Sequence, residues 1–150
     1  MRLALVYLHV VAATIWVGGL AYQTHVLLPP ARRGGVAPFA ASARRARPVT
    51  WAAIAVVVLT GFYNVTQLGS LERVMDSGAG LMLAVKFILV ILAVALASQR
   101  DFAQVTLLNA AVASNDDPGP ALRAITRLDR IVLLLTLIVI YLGLAVSRSQ

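Results

Sequence analysis

The stretch LHVVAATIWVGGLAYQTHVLLP, residues 8–29, decides the fold, because it is an uncharged run about as long as the 20 residues that cross a bilayer as a helix. It also carries both histidines of the chain and a Trp-Val-Gly-Gly run of residues 16–19. Working outward, three more apolar runs follow, so the candidate spans are about 3–28, 49–67, 79–98 and 131–147. The composition agrees: 150 residues, 60% hydrophobic and 13% charged, with a mean hydropathy of +0.85. The expected fold class is therefore all-α, a polytopic membrane protein forming one four-transmembrane-helix bundle. A secretory signal is the competing reading of the N-terminus. The apolar run is longer than a signal core, however, and no Ala-x-Ala site closes it.

The net charge of +7 is almost wholly arginine, placed between the apolar runs. Such charges act as topology signals, so no nucleic-acid partner is expected and membrane lipids are. PPARRGGVAPFAASARRARP, residues 29–48, holds five arginines and no acid, whereas LGSLERVMDSG, residues 68–78, holds one arginine against Glu72 and Asp76. The first connection is thus expected in the cytoplasm of a bacterium and both termini outside its inner membrane. The third connection has Arg100, Arg123, Arg127 and Arg130 against four aspartates, and is read as cytoplasmic. In it the third helix continues to about Ser114, NDDPGP (115–120) breaks it, and a new helix runs from Ala121 into the fourth span. Arg123, Arg127 and Arg130 share one face of that helix and suit anionic headgroups.

Polar groups inside spans are costly and therefore informative. On a helical wheel His9, Trp16 and Gln23 fall within about 40° of one another, while His25 lies about 160° away and about 24 Å further along the axis. The two histidines cannot share one metal ion within a monomer. Lys86 has no carboxylate partner within any span, so it snorkels, loses its proton, reaches Glu72 or Asp76, or meets an anion carried by a ligand. Helical depth places His9, Met82, Lys86, Asn64 and Tyr141 in the same outer half of the bundle. His9 and Met82 are the candidate metal ligands, since Cu(I) favours imidazole and thioether. Lys86, Asn64 and Tyr141 are candidates for holding a cofactor. Gly18 and Gly19 suit a close helix approach, and Trp16 the core. No cysteine is present, and no Ser-His-Asp set, carboxylate pair or phosphate loop, so thiol, hydrolase and kinase chemistry is not expected.

The pattern His9-x-x-x-Ala13-x-x-Trp16-Val-Gly18-Gly19, then VLTGFYNV (58–65) with Gly61 and Asn64, then Gly80-Leu-x-Leu-x-x-Lys86, resembles the CopD family of copper-resistance membrane proteins. The resemblance covers about residues 5–101. It implies an inner-membrane protein that moves or delivers copper, with His9 as the candidate ligand. The chain is short for that family, which suits a homo-oligomer. A second resemblance, to HemJ-type protoporphyrinogen oxidases, rests on a first-span His followed by Trp and Gly and on Lys86. It implies a b-haem or porphyrin site in which a propionate gives Lys86 its partner. A third reading, from small size and sparse chemistry, is an accessory subunit of a larger respiratory or photosynthetic membrane complex.

Overall fold

A computed structural model describes residues 2–66 and 79–148. The chain forms α1 (Arg2–Tyr22), a π-helical turn (Gln23–Leu27), α2 (Leu28–Arg32), α3 (Val36–Thr66), α4 (Ala79–Ser98), a second π-helical turn (Gln99–Gln104), α5 (Val105–Ser114) and α6 (Gly119–Arg148). The described residues contain helices and no strand. The loop with Glu72 and Asp76, which the sequence offers as a partner for Lys86, lies outside the described residues.

Each π turn continues the helix on either side of it, so the described residues make four long rods. Three of them, Leu3–Arg32, Val36–Thr66 and Gly80–Ser114, are long and apolar enough to cross a membrane. The fourth, α6, carries no charged residue between Arg130 and Arg148 and packs along α4. The molecule is an all-α membrane bundle.

The first connection is shorter than the sequence suggests. Most of the arginine-rich stretch 29–48 is helical, because its alanines and arginines are good helix formers and Pro48 sits inside α3 without ending it. Only residues 33–35 turn the chain. Gly34 takes φ 113° there, a backbone conformation that a side chain resists. The other break matches the sequence: α5 ends at Asn115 in the left-handed region (φ 61°), and the Asp117 carboxylate accepts the Gly119 amide at 2.8 Å where α6 begins.

Two cores result. One lies at the arginine-rich end, where Leu28 and Ala31 of α2, Phe39, Ala40 and Ala43 of α3, Val105 and Leu108 of α5, and Leu122 and Ile125 of α6 pack together. Val105, Leu108 and Ile125 are fully buried. Arginines border this core, and where water is the alternative environment burying each such side chain contributes about 1.5–3 kcal/mol. The second core lies within the spans and is built of Trp16, Ala53, Ile54, Ala93, Ala97 and Val132. Lipid supplies no hydrophobic drive between helices, so small residues that allow close packing carry it.

α1 packs on α3 and α4 on α6, the pairs meeting through α1 and α6, whereas α3 and α4 barely touch. That open seam creates the principal cleft. Gly18 and Gly19 do not mediate a close approach, since an added Cβ on either meets nothing within 4 Å. The close approaches belong to Gly61 and Gly143.

Candidate functional site

The seam between α3 and α4 opens a cleft of about 510 Å³, walled by apolar side chains such as Val57, Phe62, Phe87, Val90 and Ile91. His9 and Lys86 both line it. His9 on α1 is half-buried, and its Nδ1 lies 2.8 Å from Thr60 Oγ1 on α3. The Thr60 hydroxyl has one proton and donates it to the Val56 carbonyl at 2.5 Å. Its oxygen is then the acceptor toward His9, an assignment that puts the proton of neutral His9 on Nδ1 and leaves Nε2 as the acceptor nitrogen. Locking one ring nitrogen in this way is how proteins prepare the other as a ligand.

Gly61, one residue on, leaves room for the ring: a Cβ there lies 3.2 Å from His9 Cε1. Lys86 is accommodated similarly, since a Cβ on Gly143 of α6 lies 3.2 Å from Nζ. Among the described residues Lys86 forms no ion pair.

The other sequence candidates stand apart. Met82 is 47% exposed and Tyr141 71% exposed on the outer surface of the bundle. Asn64 is half-buried near the end of α3. None of these three lines the cleft. Helical depth gives a residue's level in the membrane but not the direction it faces after the helices have packed. His25 is exposed, and its Nδ1 donates to the Ala21 carbonyl at 3.0 Å.

Sequence reasoning missed a second polar centre at the arginine-rich end. Arg100, read as a topology charge of the third connection, is 5% exposed, and Asp129 is fully buried. Arg100 donates from Nε to Asp129 at 2.8 Å, from Nη1 to Asp101 at 2.6 Å and from Nη2 to Gln23 Oε1 at 2.5 Å. Trp51 Nε1 donates to the other Asp101 oxygen at 3.0 Å. Arg47 donates to the Asp101 carbonyl and lies 5.1 Å above the Phe102 ring. Gln23, Trp51, Arg100 and Asp129 come from four different rods, so this network ties all of them together.

The π turns make the network possible. Gln23 with Thr24, and Arg100 with Asp101, are neighbouring residues that are both buried. The wider turn lets consecutive side chains point inward. A signal for Asp129 was present in the sequence: Leu122, Ile125, Asp129, Val132 and Thr136 recur at alternating steps of three and four, which is the buried stripe of a helix. Arg123, Arg127 and Arg130 lie on the exposed face, as their spacing predicts.

Comparison with curated proteins and comparison with solved structures give no match. A family model does match. It is described as CopD, copper resistance protein D, and covers residues 40–146. The matched stretch holds Gly61 and Lys86 of the cleft, Thr60 and Gly143 behind them, and Trp51, Arg100 and Asp129 of the buried network, whereas His9 and Gln23 lie before it. With most of its length matched, this chain belongs to the copper resistance protein D family.

Proposed function

We propose that the protein moves or delivers copper across the bacterial inner membrane, with His9 Nε2 as the point of contact in the cleft. Family membership supports copper as the cargo. The observation that carries the residue assignment is the Thr60 bond, which occupies Nδ1 and leaves Nε2 as the ring nitrogen available to a ligand. Imidazole suits either copper oxidation state. Among the described residues no three His, Cys, Asp or Glu side chains gather as a metal cage. One imidazole in an open cleft is a transfer point rather than a store. A Lys86 ammonium repels a bare cation in the same cleft, so copper there travels with an anionic ligand that Lys86 pairs. The arginine-rich end is assigned to the cytoplasm and both termini to the outside.

A second reading is favoured by the size of the cleft. Its 510 Å³ is far more than one ion needs and falls in the range of small-molecule pockets. A b-haem or porphyrin fits the donor set: Nε2 for iron, Lys86 for a propionate and apolar walls for the macrocycle.

The test is to purify the protein in mild detergent after growth with copper, measure metal content, and record the visible spectrum. Copper near one per chain, lost in His9→Ala and without a Soret band, is the expected result. A Soret band lost in His9→Ala overturns copper in favour of haem. Neither signal, with a larger respiratory or photosynthetic complex co-purifying, favours the accessory-subunit reading. For topology, a reporter active only in the cytoplasm is fused after Gln150 and should stay silent.

A further inference from the structure

A second groove, separate from the copper cleft, lies at the arginine-rich end between α6 and the turn that joins α1 to α2. It encloses about 370 Å³ and is lined by His25, Leu28, Arg32, Arg130, Leu134 and Leu137 among others, with no acidic residue in its wall. Arg32 closes α2, and Arg130 is the last charged residue of α6 before Arg148. Both are exposed, and among the described residues neither forms an ion pair.

On α6 the stripe Arg130, Leu134, Leu137 runs i, i+4, i+7, so the cation and the last leucine lie about 10 Å apart along the axis. Leu134 and Leu137 are exposed. The groove thus offers two unpaired cations at its mouth and an apolar trough leading toward the bilayer interior. A phospholipid with an anionic headgroup has the complementary form, a phosphate at the interface and an acyl chain below it.

We propose that this groove is a specific site for one anionic phospholipid, with its phosphate held between Arg32 and Arg130 and an acyl chain along Leu134 and Leu137. Basic pockets between membrane helices bind such headgroups. The site differs from general headgroup attraction by the other surface arginines, because it needs two cations from different rods and the trough between them. It is independent of the copper reading.

The protein is reconstituted in nanodiscs of equal phosphatidylglycerol and phosphatidylcholine, re-extracted in mild detergent, and its retained lipid counted by mass spectrometry. Wild type should retain about one phosphatidylglycerol per chain in preference to phosphatidylcholine. Arg32→Gln/Arg130→Gln should abolish that preference, because both cations that hold the phosphate are gone. The control Arg44→Gln/Arg45→Gln, exposed at the same end outside the groove, should leave it unchanged. Leu134→Trp fills the trough while keeping both cations and should also release the lipid, which covers the case in which the arginine variant misfolds. Equal loss in both arginine doubles overturns the proposal in favour of diffuse charge. So does equal retention of the two lipids, or displacement of phosphatidylglycerol by millimolar inorganic phosphate.

Discussion

Arg100→Met and Asp129→Asn break the same ion pair, yet the structure predicts unequal costs. Removing one partner of a buried pair costs about 3–5 kcal/mol, because the other charge stays buried without compensation. Asp129→Asn leaves Arg100 bonded to Asp101 and Gln23, so the remaining cation keeps one anion and the cost falls near the lower bound, about 3 kcal/mol. Arg100→Met leaves two carboxylates, Asp129 at 0% and Asp101 at 3% exposure. Asp101 keeps only the Trp51 bond to its side chain, so the cost reaches the upper bound, about 5 kcal/mol. The difference of about 2 kcal/mol is more than tenfold in the unfolding equilibrium. Reversible unfolding in mixed micelles, followed by circular dichroism, measures both variants and the Arg100→Met/Asp129→Asn double. The double should cost clearly less than the sum, since neutralising Asp129 removes one of the carboxylates that Arg100→Met strands. Equal costs for the two single variants, or strict additivity, would refute the view that one guanidinium serves two buried carboxylates.

Further predictions concern the cleft and its support. Thr60→Val removes the acceptor that fixes the His9 tautomer, and should weaken copper retention about tenfold or more with helicity unchanged; equilibrium dialysis checks this. Gly61→Val drives a side chain against the His9 ring, which is anchored at Thr60, and should abolish copper retention. Gly143→Ala meets only the flexible end of Lys86, and elemental analysis should find it close to wild type. Trp51→Phe keeps the ring contact with Phe102 at 5.2 Å but loses the bond to Asp101. It should cost about 2 kcal/mol, the range for a hydrogen bond to a charged group, read from the same unfolding curves.

Much of the fold was legible because it follows from one-dimensional regularities. Apolar run length set the helical rods, NDDPGP marked the break at 115–118, and helical periodicity separated the buried Trp16 and Gln23 from the exposed His25. The arginine-rich connection was less legible, because charge distribution reads as a loop whether or not the backbone is helical. Its alanines in fact build a core with α5 and α6 at that end of the bundle.

The sequence by itself determined that this is an all-helical membrane protein of the CopD type with His9 and Lys86 as its conspicuous intramembrane groups. Only the tertiary structure decided which polar groups meet. His9 meets Thr60 and shares a cleft with Lys86, while Met82 and Tyr141 face outward. Arg100 and Asp129, 29 residues apart, become a buried pair. The physical reason is that spacing fixes a residue's height and its angle on its own helix, whereas contact also requires the rotation and offset of neighbouring helices. Those are set by packing and, here, by two π turns with no evident mark in the sequence.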